Sequence, residues 1–499
     1  MNQAYKELQP YLERAMAFRT ALILIEWDNE TLAPVQAVSY TAKMAGAVSA
    51  AYQEMITGSE LTTRLEACEQ EEGLSEMEAA VIREVREEVD DLSCIPPAEY
   101  REYKELVSES GRIWAKAKAD RDFLAFAPTL KKIIEFEKKF AAYRAKDGQK
   151  LYDVMLDHFE KGFHIEQLDQ FFNQLKTELV PFLKQISECG TVIADEFLSG
   201  EYPEETQKKL ASLTAKYLGF DFSKGVMAES AHPFTTALHN HDVRITTHYT
   251  DNISSALFSV IHEAGHAIYE LGIADKLTLS FVGQGASMGM HESQSRFFEN
   301  IVGRNDAFWV PLYERLQELF PEQLGNISRE EFVAAINKVQ PGRIRTEADE
   351  LTYSLHVLVR YELEKMLIEE DLEVEKLPEI WADKYEEYLG IRPEHDAEGV
   401  LQDIHWAQGA FGYFPSYALG SAFGAQMYAH MKKNMDVEEL LKKGELIKIR
   451  EYLREHIHQY GKLRDSRQLI KDMTGEEFNP NYYVQYLKDK FRTLYQLSN

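Results

Sequence analysis

One short segment limits what this chain can fold into and which chemistry it can carry. It contains His-Glu-x-x-His, in which His262 and His266 are four residues apart and Glu263 directly follows the first histidine. On an α-helix, residues at this spacing lie one turn apart on the same face. Both imidazoles can then reach one tetrahedral zinc ion, with Glu263 beside the metal to act on its bound water. The motif therefore predicts a zinc site of the hydrolytic kind.

The residues around the motif carry the signals of a helix. Apolar side chains recur every three or four positions from Leu257 to Leu271. Asp251 or Asn252 can cap the start of this segment, and Gly272 can end it. The two histidines are therefore expected on a helix rather than on a loop.

Helical periodicity recurs along the chain, and glycine and proline are sparse. One apolar pattern begins at Pro128, and another runs from Asp436, a candidate N-cap with Glu439 three residues later, to Gly461. No repeat, low-complexity tract or Pro/Ser-rich linker divides the sequence. We therefore expect a mainly α protein in which residues 1–499 form one catalytic unit, with two lobes around a cleft and no accessory domain.

One segment departs from the helical pattern. Residues 241–249 alternate with a period of two and are rich in β-branched side chains, which predicts a short strand. Asp242, Arg244 and Thr246 would lie on one face of this strand, and the residues between them on the other. A strand just before the zinc helix can offer an edge along which a peptide lies, although an ordinary surface strand explains the pattern equally well.

A catalytic zinc ion needs a third protein ligand besides the two histidines. Glu270 lies about 12 Å along the helix axis from His262, too far for one ion, so the ligand must come from another segment. Residues 290–300 follow a glycine-rich loop and are predicted to form a second helix. Glu292, near its start, suits the two-histidine, one-glutamate set of zinc peptidases, and His291 is the alternative. Glutamate is also favoured at the start of any helix, where negative charge is stabilised.

Composition limits the partners and the compartment. The formal net charge of −28 repels phosphate backbones and anionic lipid, so neither nucleic acid nor a membrane is an expected partner. Three separated cysteines without a C-x-x-C pair fit a reducing cytosol. No apolar stretch has the features of a signal peptide or a transmembrane helix. The sequence therefore predicts a soluble, cytoplasmic protein.

Taken together, these residues resemble the carboxypeptidase Taq family of zinc metallocarboxypeptidases. The His-Glu-Ala-Gly-His of residues 262–266 is followed at the family spacing by the His-Glu-Ser-Gln of residues 291–294. The matches run in order from Trp27 to beyond Tyr417 and so cover nearly the whole chain. The supporting matches are residues 232–234, 242–246, 344–349 and 399–406.

The resemblance implies features that composition cannot show. It implies a helical, saddle-like molecule with a deep groove and a small β-sheet near the metal, and it implies a homodimer. Glu292 becomes the third zinc ligand, and cobalt or manganese can occupy such a site in place of zinc. The implied activity is the removal of single C-terminal residues from peptides, with broad tolerance of side chains.

A late segment is similar to one in the neurolysin-like oligopeptidases, a related group of helical zinc peptidases. In that group a histidine is followed twelve residues later by a tyrosine, and both contact the developing oxyanion. His405 and Tyr417 have this spacing here, and Tyr413 is the fallback. Taken alone, aromatic residues in such a segment would more often belong to a core.

A carboxypeptidase must also recognise the free terminal carboxylate of its substrate, for which the planar guanidinium of arginine is well suited. Arg345 lies in a family-like segment and is our choice, and Arg343 is the alternative. Pairing with a nearby carboxylate is the commoner role of an arginine. We expect Asp242, Arg244 and Thr246 to shape the cleft and support the metal ligands.

Three functions follow from the sequence. The leading hypothesis is a zinc metallocarboxypeptidase in which Glu263 is the general base and His405 and Tyr417 stabilise the oxyanion. A zinc oligoendopeptidase of the same chemistry differs only in lacking a site for the terminal carboxylate. A non-catalytic helical protein with structural zinc is disfavoured, because Glu263 has no purpose in a closed metal site. Arg296 stands where similar zinc sites often keep an acidic residue, so support for the ligands is expected from elsewhere.

Overall fold

The computed structural model describes residues 2–34 and 36–497. Over these residues the chain is mainly α-helical with one small sheet, which confirms the predicted fold class. The helices are α1 (Gln3–Thr31), α2 (Val38–Ile56), α3 (Ser59–Glu69), α4 (Glu76–Ser93), α5 (Pro97–Asp120), α6 (Phe123–Arg144), α7 (Leu151–Phe159), α8 (Ile165–Glu188), α9 (Glu204–Leu218), α10 (Ile253–Leu271), α11 (Met288–Arg296), α12 (Asp306–Trp309), α13 (Tyr313–Leu319), α14 (Pro321–Leu324), α15 (Arg329–Ile336), α16 (Tyr353–Glu369), α17 (Leu377–Leu389), α18 (Pro415–Asn434), α19 (Val437–Lys442), α20 (Leu446–His456), α21 (Ser466–Thr474) and α22 (Asn481–Tyr495). The strands are β1 (Gly225–Glu229), β2 (Thr235–His239) and β3 (Asp242–Thr247).

Shorter helical turns connect these elements. A π-helix, Phe297–Gly303, continues α11 directly. The 3₁₀ helices are Glu196–Leu198, Asp275–Leu277, Arg345–Glu347, Val374–Lys376, His405–Gln408 and His458–Leu463. Among the helices described, none combines the length and the apolar character that crossing a membrane requires.

Three groups of buried apolar side chains hold these elements together. The largest joins the helices from α5 onwards. A separate, smaller group comes from α1, α3 and α4, with Ile56 at the end of α2, and packs against residues 273–282. In the third, Val243 and Ile245 of β3 pack against Val260 and Ala267 of α10. Burial of each such valine or isoleucine contributes about 1.5–3 kcal/mol, so the sheet fixes one side of α10.

Helix α10 has the boundaries that the sequence predicts. The side chain of Asn252 accepts hydrogen bonds from the backbone amides of Ser254 and Ser255, which makes it the N-cap. The helix ends at Leu271, and Gly272 is its C-cap. The predicted histidine-bearing helix is therefore confirmed.

Helix α6 begins earlier than predicted. It starts at Phe123, and the Asp122 side chain accepts a hydrogen bond from the amide of Ala125. Pro128 consequently lies inside the helix rather than at its start. Pro128 is the sixth residue of this helix, beyond the first four amides that lack intrahelical partners, so the helix loses the hydrogen bond that this position would donate to the carbonyl oxygen of Leu124.

The single helix predicted from Asp436 to Gly461 is wrong, although its N-cap is confirmed. Asp436 accepts a hydrogen bond from the amide of Glu439 and caps α19. That helix ends at Lys442, and Gly444 turns the chain with a φ of 70° before α20 begins. The apolar spacing does not reveal where the first helix ends, because both short helices bury apolar residues in the same large core.

The predicted strand at residues 241–249 is β3, but it is not an edge strand. The sheet has the order β1-β3-β2, with β1 parallel and β2 antiparallel to β3. Two short upstream strands without clear alternation therefore cover both sides of β3. The prediction that this strand offers a free edge to a peptide is wrong, and β2 is the edge strand in contact with α10.

Candidate active site

Helices α10 and α11 bring His262, His266 and Glu292 together. One ligand atom from each residue lies within 4.8 Å of the other two. Oε2 of Glu292 lies 3.8 Å from Nε2 of His262 and 3.7 Å from Nε2 of His266. Tetrahedral zinc ligands are about 3.4 Å apart, as bond lengths of about 2.0–2.2 Å require. The three atoms therefore fit around one divalent ion after small adjustments.

Close backbone packing sets the distance between these helices. A Cβ at Gly265 of α10 would lie 2.7 Å from Cα of Ser295 on α11. A Cβ at Gly420 of α18 would lie 2.6 Å from Cβ of Glu292. Any larger residue at either position would force the helices apart, so glycine keeps α11 in register with the histidines.

A charged network supports His262 and Glu292. Oε2 of Glu299 lies 2.8 Å from Nδ1 of His262. Arg296 donates from Nε to Oε1 of Glu292, at 2.7 Å, and from Nη1 to Oε2 of Glu299, at 2.9 Å. Burial alone would raise the pKa of Glu299, but Arg296 and His262 overcome it and hold this pKa well below its usual range. The network leaves Nε2 of His262 and Oε2 of Glu292 for the metal.

A second chain of contacts supports His266. Its Nδ1 lies 2.6 Å from Nδ1 of His291, and Nε2 of His291 lies 2.9 Å from Oε1 of Glu270. Because Nε2 of His266 must be unprotonated to bind a metal, its proton belongs on Nδ1 and is donated to His291. His291 then keeps its own proton on Nε2 and donates it to Glu270, which also accepts the amide of Gly285 at 2.8 Å. His291 thus lies behind the metal position, outside the three-ligand group.

Glu263 lies beside this group and is only 6% exposed. Thr235 of β2 donates a hydrogen bond to its Oε2 at 2.6 Å. Burial raises the pKa of the Glu263 carboxyl above its ordinary value. A carboxylate with a raised pKa is a stronger proton acceptor, which suits a general base.

His405 and Tyr417 form a pair, with Nε2 of His405 3.0 Å from Oη of Tyr417. Burial lowers the pKa of His405 to about 4, so the imidazole is neutral at neutral pH. Burial and the neighbouring Tyr413 raise the pKa of Tyr417 well above its ordinary value, so its hydroxyl stays protonated. The rings of Tyr413 and Tyr417 are 5.1 Å apart. Both residues of the pair are therefore neutral groups with a proton to donate.

Arg345 belongs to a buried charge cluster with Arg360 and Asp403. Arg345 donates to Oδ1 of Asp403 from Nε at 3.0 Å and from Nη2 at 2.9 Å, whereas Nε of Arg360 donates to Oδ2 at 2.7 Å. The Arg345 guanidinium also lies 4.7 Å from the ring centre of Tyr417. Two guanidinium groups face one carboxylate, so the cluster carries an excess positive charge beside His405 and Tyr417.

The other predicted binding residues contact protein groups. Arg343 donates from Nε to the carbonyl oxygen of Arg392 at 3.0 Å, and its Nη2 lies 2.8 Å from a carboxylate oxygen of Glu394. Arg244 forms a bidentate salt bridge with Asp242, donating from Nε to Oδ1 at 2.9 Å and from Nη2 to Oδ2 at 2.8 Å. Their contacts with a substrate stay predictions.

Thr246 is fully buried in the middle strand. Its hydroxyl accepts a hydrogen bond from the amide of Phe234 at 2.9 Å and lies 2.7 Å from the hydroxyl of Ser230. These contacts hold the chain that leads into β2, the strand of Thr235. Thr246 therefore contacts the sheet and not the metal-ligand group, and its role in the site stays a prediction.

Several residues of the site carried no clear signal in the sequence. Glu299 lies seven residues after Glu292 and shares its helix face, a spacing that in retrospect could have indicated it. Thr235 and Asp403 act through contacts between segments that are distant along the chain. Such contacts depend on packing and leave no local pattern.

Comparison with known proteins gives one consistent family. The family model described as carboxypeptidase Taq (M32) metallopeptidase matches residues 7–491. Carboxypeptidase 1 of Bacillus subtilis (strain 168) is 41% identical over 495 residues, which cover 99% of each chain. Thermostable carboxypeptidase 1 of Pyrococcus furiosus is 36% identical, over 98% of this chain and 99% of the relative.

Solved structures agree with these sequence relatives. The crystal structure of an M32 carboxypeptidase from Deinococcus radiodurans R1 superposes with a TM-score of 0.96 at 32% identity, over 99% of this chain and 100% of that one. The BsuCP crystal structure gives a TM-score of 0.93 at 41% identity, over 99% and 100% of the two chains. The similarity therefore extends over the whole described fold.

Proposed function

The chain belongs to the carboxypeptidase Taq (M32) family of metallopeptidases and is a metallocarboxypeptidase, and from this premise we propose that zinc and Glu263 drive its reaction. It would release single C-terminal residues from peptides, with broad tolerance of the side chain removed. The observation that carries this proposal is the placing of Glu263 beside three convergent ligand atoms, all within 4.8 Å of one another. The donor set of two imidazoles and one carboxylate suits catalytic zinc.

Different residues of the site are assigned to metal binding and to proton transfer. His262, His266 and Glu292 would hold one ion, which when bound acidifies a water molecule and polarises the scissile carbonyl; cobalt is a possible substitute for zinc. Thr235 engages Oε2 of Glu263, so we assign the proton transfer to Oε1. That oxygen accepts the proton of the attacking water and then delivers it to the leaving amine.

His405 and Tyr417 are assigned to the oxyanion that develops at the scissile carbonyl. One hydrogen bond joins the two side chains in the free enzyme, at 3.0 Å. A substrate oxyanion would replace that contact and accept a hydrogen bond from each, and such donors act mainly in the transition state. Tyr413, whose ring neighbours Tyr417, stays the fallback donor.

Arg345 is our proposed receptor for the terminal carboxylate of the substrate. The cluster of Arg345, Arg360 and Asp403 has one positive charge in excess, which an incoming carboxylate would neutralise. Arg343, by contrast, already faces Glu394 and has its side chain 37% exposed, so it is the weaker candidate. Arginine binds carboxylates with its planar fork, which gives direction as well as charge.

A matched pair of peptides tests the terminal specificity, one with a free C-terminal acid and one with a C-terminal amide. The enzyme is expected to shorten the acid one residue at a time and to leave the amide nearly untouched, as read by mass spectrometry. Arg345→Ala should lower kcat/KM for the acid by a factor that corresponds to about 2–4 kcal/mol, because the terminal carboxylate of the substrate would be buried without its partner. The amide should barely respond to this substitution.

Arg343→Ala is the control for this experiment, and the melting temperature of each variant shows whether the fold is intact. Equal losses for the acid and the amide would make Arg345 structural. A larger loss in Arg343→Ala would transfer the role to that residue. Rapid internal cleavage of the amide by the unmodified enzyme would favour an oligoendopeptidase.

The remaining assignments are proposals of the same kind. We propose that residues 1–499 act as one catalytic unit with two lobes around a groove, and the separate core formed mainly by α1, α3 and α4 supports this division. Asp242, Arg244 and Thr246 would shape the groove through β3. The homodimer and the cytoplasmic location stay predictions from the sequence.

A further inference from the structure

Glu364 of α16 is a buried carboxylate beneath the segment of residues 405–417. We propose that Glu364 is a positioning residue, which fixes this segment so that His405 and Tyr417 meet the oxyanion. The inference rests on the oxyanion roles proposed above for those two residues. The hydrogen-bond partners of Glu364 are Tyr152, Trp406 and Gly412, so its role does not require contact with the proposed metal ligands.

Side chains on one face of α16 form hydrogen bonds with the residues around this segment. Tyr353, Arg360 and Glu364 are spaced at i, i+7 and i+11, so they lie in line along the helix. Tyr353 accepts a hydrogen bond from Arg345 at 3.1 Å, and Arg360 donates to Asp403 at 2.7 Å. Tyr353 is 5% exposed, and Arg360 and Glu364 are fully buried. A regular helix thus serves as a rigid support for irregular chain.

Glu364 binds both ends of the stretch between His405 and Tyr413. Its Oε1 accepts a hydrogen bond from the indole Nε1 of Trp406, at 2.8 Å. Its Oε2 accepts one from the amide of Gly412, also at 2.8 Å, and one from Oη of Tyr152, at 2.7 Å. One carboxylate therefore forms hydrogen bonds with the residue after His405 and with the residue before Tyr413.

The donor set requires a carboxylate at this position. An indole N–H and a backbone amide can only donate, so each oxygen of Glu364 must accept. Glutamine has the same shape but only one accepting oxygen. In one orientation, its NH2 group would face the N–H of Trp406, and in the other it would face the N–H of Gly412, so two donors would meet. Because the site is buried, no water relieves this conflict and the segment has to shift.

Glu364 is a carboxyl group buried at a cost. Burial raises the pKa of Glu364 to about 7, even though three hydrogen bonds favour its charged form. An apolar side chain would avoid the cost of burying a charge, but it would leave the N–H groups of Trp406 and Gly412 buried without acceptors. It also could not hold these two residues at fixed positions.

Glu364→Gln is expected to lower kcat by about 10–10²-fold with KM within about twofold, since a shift of about 1 Å in a catalytic group has an effect of this size. Metal content should not change. Trp406→Phe removes one of the two hydrogen bonds between Glu364 and the segment, so it should lower kcat by about threefold with KM unchanged. The double variant, Glu364→Gln with Trp406→Phe, should be more active than Glu364→Gln alone, because the indole N–H that would face the glutamine NH2 group is gone.

Tyr152→Phe is the matched control. It removes a donor to the same carboxylate oxygen but leaves Trp406 and Gly412 in place, so kcat should stay within about twofold. Kinetics are measured on zinc-loaded full-length enzyme, well below the melting temperature of each variant. A purely structural role would lower that temperature and leave the kcat of the folded enzyme unchanged.

Tyr417→Phe separates failure of this inference from failure of the proposed function. If it leaves kcat unchanged, the oxyanion assignment fails and this inference fails with it. If Tyr417→Phe lowers kcat but Glu364→Gln does not, only the role of Glu364 is overturned. Losses in Glu364→Gln and Trp406→Phe that simply multiply in the double variant would also overturn it. Should Glu364→Gln not fold, an unchanged kcat in Trp406→Phe would decide against the proposal.

Discussion

Glu263→Gln is expected to lower kcat by about three or more orders of magnitude, while the enzyme keeps its metal. Glutamine has the shape of glutamate and can still accept the hydrogen bond of Thr235, which lies 2.6 Å from Oε2. It cannot accept a proton from the attacking water. The measurement is kcat for a free-acid peptide, together with the metal content by elemental analysis.

Thr235→Val is the companion variant for this prediction. It keeps the carboxylate of Glu263 and removes only its hydrogen-bond donor, so the loss in kcat should be much smaller. A Glu263→Gln enzyme that retained kcat within about tenfold would rule out Glu263 as the general base. Loss of the metal in this variant would instead place Glu263 among the ligands.

Glu292→Ala is expected to remove metal binding, and activity with it. The substitution deletes one of three ligands and leaves Arg296 near the metal without the acceptor that now lies 2.7 Å from its Nε. The positive charge of Arg296 would then repel a divalent cation. The metal dissociation constant, measured by competition with a chelator, should rise by about three orders of magnitude or more.

His291→Ala is the informative comparison, because His291 is the alternative ligand that the sequence offers. In the structure it contacts Nδ1 of His266 at 2.6 Å and lies behind the metal position. Loss of such an indirect support typically lowers metal affinity by about 10–100-fold. A greater loss in His291→Ala than in Glu292→Ala would reverse the assignment of the third ligand.

Local signals explain what the sequence could predict. The N-cap at Asn252 and the apolar spacing of α10 lie within a few residues of each other, so both are readable in one segment. The relation between His262 and His266 follows from helix geometry alone. Its position in a second predicted helix and the family resemblance both indicate Glu292 as a ligand, and the structure places it with the histidines.

Contacts between distant segments explain what the sequence could not predict. Helix geometry alone excludes Glu270 as a ligand, but its contact with His291 depends on how α10 packs on α11. Arg345 is the predicted receptor of the terminal carboxylate, but its burial and its pairing with Asp403, some sixty residues later, have no local pattern in the sequence. Alternation of side chains predicts β3 but not its two neighbours, because their sequences lack it.

Titration of metal-free enzyme with zinc tests the central claim most directly. The metal is removed with a chelator, and hydrolysis of a free-acid peptide is followed as zinc is added back. Activity should be absent at the start, rise in proportion to added zinc and level off at one ion per chain, with cobalt restoring it as well. Full activity in a preparation that elemental analysis shows to contain no transition metal would contradict the metal-dependent mechanism.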